Sequence, residues 1–320
     1  MSDMKKLVIV SVPYKPFMSV IKDGCTLLNV EFLIIERKKH FVWKILFRIF
    51  LALKCYRLAL RCKISNSNYR DFQNYAKETE TKFLFWSPFF LSWWYAMGRL
   101  IPKQEKVVFC WAPLGIANQN RFDFFYKKTR ALGFDFFTMN SSDAKKYNMH
   151  LTTQVYRRWE NLEQITSETY FYFLGKCKGR EKKLEQIQKA LLERNFKVDF
   201  KIFENNIENP ISFEENVLNA MHSRCIVDVV SFSGIYKQTD MTLRPLEALF
   251  LGKKLLTNYS AIKDMDFYCP KNIYVIDAEN LNLDGIDEFM RTPIVLIDEK
   301  IVDQYEVNFW LAKYFLGNCK

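Results

Sequence analysis

Between Arg224 and Asn258 the chain reads RCIVDVVSFSGIYKQTDMTLRPLEALFLGKKLLTN, a pattern that admits few folds. Cys225 to Val230 is a short apolar run rich in β-branched residues, as in a buried strand. Ser231 to Thr242 carries hydroxyls and Gly234, so a loop follows. Thr242 is placed to cap the next helix, and Pro245 fits a first turn, where amide donors have no partner. Leu246, Leu249 and Phe250 give that helix an apolar face. Gly252 ends it, and Lys254 to Thr257 is the next strand. Strand, loop, helix and strand in this order make a βαβ unit of a parallel sheet.

Such a unit can hold an anion. A helix start offers free N–H groups and partial positive charge, which suit a phosphate. Glu247 stands near the first turn, within reach of a ribose diol beside that phosphate. The alternative is an ordinary βαβ unit with a surface glutamate. A second phosphate-facing turn is expected earlier. Thr169 to Leu174 reads as a strand, and Gly175 and Gly179 frame the passage into a helix lined by Leu184, Ile187, Leu191 and Leu192. Lys178 and Arg180 stand in that turn, where they would neutralise a diphosphate leaving group or else remain solvated charges.

The stretch SGIYKQTDMTLRPLEALFLGKKLLTN resembles the donor-binding segment of GT-B glycosyltransferases that build bacterial lipopolysaccharide and capsule. FFTMNSSDAKKYNMHLTTQVY resembles the end of the acceptor domain in the same group, with Ser141 expected to cap a helix. The resemblance runs over roughly 169–277 and, more loosely, 106–158. It implies an α/β chain of GT-B architecture, two Rossmann-like domains whose parallel sheets face a central cleft. It implies a nucleotide-sugar as co-substrate, no other cofactor and no metal. Gly175, Lys178, Arg180, Ser233, Gly234, Thr242, Leu243, Arg244 and Glu247 would form the donor site. Glu247 would hold the ribose, and Arg244 would support the phosphate or pack beneath the helix. Many retaining members place a second glutamate eight residues before this one. Thr239 stands there, which leaves the stereochemistry open.

At 320 residues the chain is long enough for two domains. The expected division is 1–160 for the acceptor domain and 161–320 for the donor domain, with a linker near 152–168 and the last helix crossing back to the first domain. Charge follows the same division. Residues 1–160 hold 27 Lys/Arg against 12 Asp/Glu, a net of +15, whereas the remainder holds 20 against 24. The basic character therefore belongs to the first half, which points to a partner held there. From Arg37 to Arg70 there are ten Lys/Arg and no Asp or Glu, interleaved with large apolar residues. A helix over about 41–62 is expected, too charged to span a bilayer but suited to an anionic membrane surface. The uncharged run from Phe83 to Gly98 is expected as a strand and an apolar helix, serving the domain core or sharing in that docking. MSDMKKLVIVSVPY lacks the apolar length of a signal peptide. The eight cysteines show no CxxC spacing, which favours a reduced cytoplasm. The expected place is cytoplasmic, peripheral on the inner face of the plasma membrane.

An inverting transfer needs a base to deprotonate the acceptor hydroxyl. Asp23, His40, Asp123, Asp143 and His150 are the candidates, with Asp23 preferred for its place after the first strand's loop. Two other classes remain open. A catalytically silent GT-B scaffold in a membrane assembly complex would bind nucleotide without turnover. A basic nucleic-acid-binding protein would show salt-sensitive RNA binding. No recognised nucleic-acid motif supports the latter.

Overall fold

The computed structural model describes residues 6–87, 90–112, 114, 119–159, 169–203, 211–230, 240–277 and 280–317. It is an α/β protein with two wholly parallel sheets, one of six strands and one of five. By packing, one unit comprises residues 1–18, 25–153 and 311–320, and the other residues 19–24 and 154–310.

In the first unit the strands are β1 (Leu7–Ser11), β2 (Val30–Ile34), β3 (Lys82–Trp86), β4 (Glu105–Cys110), β5 (Phe134–Thr138) and β6 (His150–Leu151). Their order across the sheet is β2-β1-β3-β4-β5-β6. The helices are α1 (Phe41–Ala52), α2 (Tyr56–Lys63), α3 (Asn66–Tyr75), α4 (Leu91–Gly98), α5 (Gln119–Arg130) and α6 (Ser141–Tyr147). β1, β3 and β4 are buried on both faces, which is why they read as continuous apolar runs. The uncharged run after Lys82 becomes β3 and α4, and Trp93, Trp94 and Met97 are buried in the core. These side chains serve the fold and are not offered to a membrane. Ser141 is not the cap of α6. Asn140 is, its side chain accepting from the Asp143 N–H at 2.7 Å.

The single helix expected over 41–62 is two. α1 stops at Ala52 and α2 starts at Tyr56. Cys55 N–H donates to the Phe50 carbonyl and Lys54 N–H to the Leu51 carbonyl, the paired bonds of a Schellman ending. Lys54 takes the left-handed position at φ 59°, a place where a lysine Cβ is strained and glycine is not. Lys54→Gly is therefore expected to raise stability by about 0.5–1 kcal/mol in urea unfolding. A loss of stability would contradict this turn.

In the second unit the strands are β7 (Thr169–Lys176), β8 (Val198–Phe203), β9 (Ser223–Asp228), β10 (Lys254–Thr257) and β11 (Ile273–Val275), in the order β11-β10-β9-β7-β8. The helices are α7 (Glu181–Glu193), α8 (Phe213–Met221), α9 (Arg244–Phe250), α10 (Ile286–Arg291), α11 (Glu299–Asp303) and α12 (Val307–Leu311). Phe171 and Phe173 on β7, Leu184, Ile187 and Leu191 on α7, and Val227 and Leu256 on the neighbouring strands form its core. In both sheets the first strand lies between the second and the third. That order creates a switch point, where successive connections leave in opposite directions and a crevice opens at the carboxyl ends of the strands. In the second unit the crevice lies between β7 and β9. Among the described residues no helix is long and apolar enough to cross a membrane.

Candidate functional site

The carboxyl ends of β7 and β9 gather positive charge. β7 ends at Lys176, and the chain enters α7 through Lys178 at φ 50° and Gly179 at φ 76°. This left-handed pair turns the backbone sharply and brings Arg180 back over the strand ends. The Arg180 guanidinium donates to the Val229 carbonyl through Nη1 and to the Lys176 carbonyl through Nη2 at 3.1 Å. It thus ties the ends of the two strands that flank the switch point. Arg244, at the start of α9, reaches the same place. Its Nη2 donates to the Leu174 carbonyl at 2.5 Å and its Nη1 to Asp228 Oδ1 at 3.3 Å. The two guanidiniums lie 5.2 and 4.9 Å from the centroid of the Phe173 ring. A Cβ at Gly175 would sit 2.9 Å from Arg244 Nη2 and 3.1 Å from Arg180 Nη2. Glycine at 175 is what lets both arginines close on the strand.

These cations oppose one another. Burial lowers the Lys178 pKa from its ordinary value, and the charges of Arg180, Arg244 and Lys176 lower it further. Arg180 is pushed down to about 10 by burial and then by Arg244, against a smaller opposing pull from Asp228. Like charges held together out of water are an unfavourable arrangement that an incoming anion relieves. Among the described residues no cluster of His, Cys, Asp and Glu is arranged to hold a metal ion.

Glu247 lies on α9, buried, with 4% of its surface exposed. Its Oε1 accepts from Tyr156 Oη and from Asn216 Nδ2, each at 3.2 Å. Tyr172 Oη donates to Asn216 Oδ1 at 3.1 Å, which fixes the amide with its nitrogen towards Glu247. The surface-glutamate alternative is therefore excluded. Burial pushes the Glu247 carboxyl from 4.5 up to about 7, against the pull of Arg244 and Tyr156. Since the folded value lies above the unfolded one, the folded chain binds the extra proton. The stability this carboxyl contributes is fully present below about pH 4.5 and is lost, by about 3 kcal/mol, as pH rises to about 7. Glu247→Gln is expected to flatten that fall. Denaturant midpoints measured from pH 4.5 to 8 check it, and parallel curves for the two proteins would contradict it.

The expected donor residues are thus distributed unevenly. Gly175, Lys178, Arg180 and Arg244 are brought together at the switch point, and Glu247 follows Arg244 by one helical turn. Thr242 joins them differently from expectation. The N-cap position of α9 is Leu243, whose side chain makes no capping bond. Thr242 Oγ1 accepts from the Arg244 N–H at 3.1 Å and donates to Asp228 Oδ1 at 3.0 Å. Ser233 and Gly234 lie outside the described residues. Asp23 is exposed on a turn after the helix Phe17–Lys22, with the Lys22 ammonium at 3.6 Å. The other base candidates have structural partners. His40 caps α1, Asp123 accepts from Tyr147 Oη, Asp143 is buried and accepts from the Leu114 N–H, and the His150 ring lies against Phe137.

Sequence reasoning missed Asp228, Tyr156 and Asn216. Asp228 is fully buried and accepts from Thr242, Arg244 and, at 3.3 Å, Thr257 Oγ1. A cavity of about 290 Å³ lies at the other edge of this sheet, lined by Lys253, Leu255, Asn272 and Ile273. None of the switch-point cations faces it.

No family model and no curated protein matches the chain. Several solved structures bear a likeness to it, among them these two. One is AviGT4, a glycosyltransferase involved in avilamycin A biosynthesis, at 10% identity and a TM-score of 0.41, over 78% of this chain and 86% of that one. The other is an alpha-glucosyltransferase in complex with UDP-glucose and DNA containing an abasic site. It is 11% identical with a TM-score of 0.45, over 98% of this chain and 97% of that one. Both are glycosyltransferases.

Proposed function

We propose that the chain is a GT-B glycosyltransferase that moves a sugar from a nucleotide-sugar to a cell-surface glycan, lipopolysaccharide or capsule and exopolysaccharide. The observation that supports this reading is the convergence of Lys178, Arg180 and Arg244 at the switch point, beside a buried glutamate. Mutually repelling cations suit a nucleoside diphosphate, whose charge grows as the sugar leaves. Arg180 and Arg244 hold the diphosphate from fixed positions, and Lys178 meets it from the turn. Glu247, one helical turn beyond Arg244, takes the ribose hydroxyls, with its Oε1 held by Tyr156 and Asn216. Basic side chains carry the leaving group in this scheme, so the reaction is metal-independent. In an inverting transfer the base that deprotonates the acceptor is Asp23, exposed in its turn. The working place is the cytoplasm of a bacterium, at the inner face of the plasma membrane.

Nucleoside diphosphate release is the test. Nucleotide-sugars carrying uridine, guanosine and thymidine are each supplied with lipid-linked glycan extracts. One donor is expected to give acceptor-dependent release with chelator present. Binding of that donor without release on any acceptor favours the silent scaffold. Neither binding nor release from any donor overturns the transferase reading.

A further inference from the structure

α1 is apolar almost all round its circumference, a pattern that belongs to helices enclosed on every side. It is enclosed on one side only. Phe47 is buried, and Leu46, Phe50 and Leu51 pack against the core of the first unit. On the opposite face Phe41, Ile45, Ile49 and Leu53 follow one another at four-residue spacing, with 69, 42, 46 and 66% of their surfaces exposed. Four large apolar side chains in one exposed row need a covering partner.

The charge beside the row selects that partner. Lys44 and Arg48 run along its flank, Lys39 stands before it and Lys54 after it, all exposed. Arg57 and Arg61 on α2 continue the basic surface. No carboxylate occurs from Arg37 to Arg70. A second copy would set this basic face against itself. A nucleic acid would meet the cations but leave the apolar row in water. An anionic lipid surface satisfies both, because cations sit among phosphates while apolar side chains enter the acyl boundary. We propose that α1 is a membrane-surface helix that lies in the interface of an anionic bilayer. Phe41, Ile45, Ile49 and Leu53 enter it, and Lys39, Lys44, Arg48 and Lys54 meet the headgroups. Trp43, with the Lys38 ammonium 5.1 Å from its ring, stands at the water boundary. This docking rests on no part of the transferase reading.

The test is co-sedimentation of the full chain with vesicles of phosphatidylcholine, alone or mixed with phosphatidylglycerol. Binding to the mixed vesicles and not to the neutral ones is expected. Lys44→Glu with Arg48→Glu is expected to weaken it by more than about tenfold. Ile49→Ser with Leu53→Ser is expected to weaken it similarly while raising its salt sensitivity. All four side chains are exposed, and an unchanged melting temperature confirms that the variants fold. No binding to mixed vesicles, equal binding to neutral ones, or preference for a DNA duplex over either would overturn the proposal.

Discussion

Arg180→Ala is expected to weaken nucleoside diphosphate binding by about 30-fold to 1,000-fold, the cost of removing one partner of a desolvated, hydrogen-bonded charge pair. Arg180 is buried, and its position is set by the Val229 and Lys176 carbonyls. Little side-chain entropy is therefore lost when an anion binds, so most of the electrostatic gain reaches the affinity. The same substitution removes two hydrogen bonds and leaves a void beside Phe173, which costs about 2 kcal/mol of stability. Part of that loss is offset, because Lys178 and Arg244 lose a repelling neighbour. Isothermal titration well below the melting temperature separates the two effects. A merely structural Arg180 would lower the melting point and leave affinity within about twofold.

Asp228→Ala carries the largest expected effect on stability, a loss of about 3–5 kcal/mol. The carboxylate is wholly buried and answers Thr242, Arg244 and Thr257 together. It ties the end of β9 to the start of α9 and to β10. Its removal leaves the Arg244 charge without its counter-ion beside Arg180. Asp228→Asn keeps an acceptor for the threonines but not the charge, and should cost less, about 1–3 kcal/mol. Urea unfolding of both variants checks the order. A loss under about 1 kcal/mol for the alanine variant would mean that Asp228 does not organise this end of the sheet.

Cys225 to Val230 and Lys254 to Thr257 read as strands because buried parallel strands are continuous apolar runs, and β9 and β10 stand there. Pro245 and Gly252 bracketed the helix between them for local reasons of backbone geometry. Glu247 stands out in the sequence, but its surroundings do not. Tyr156 lies 91 residues away in sequence, in a stretch read as linker, and Asn216 is 31 away. Nothing local to either residue signals that the fold joins them to a carboxylate. Asp228 was hidden for a related reason: a buried acid is recognisable only once its three donors are known. The break at Lys54 left no trace, since lysine is not a residue that marks a left-handed position. β6, with two residues, is too short for periodicity to show. The preference for Asp23 rested on order along the chain alone. The structure places it in an exposed turn, in a segment that packs with the second unit.

The cations at the β7–β9 switch point are expected to bind the diphosphate of a nucleotide. Titrating UDP, GDP, CDP, dTDP and CMP into the wild type and into Gly175→Ala tests it most directly. A methyl at 175 would press on both guanidiniums, 2.9 and 3.1 Å away, without removing any charge. One diphosphate is expected to bind the wild type at micromolar concentration, raising its stability by about 2.7 kcal/mol at 100 times its dissociation constant. Gly175→Ala should bind it at least about tenfold more weakly. Equal binding by both proteins, or no binding of any nucleotide up to millimolar concentration, would contradict the account.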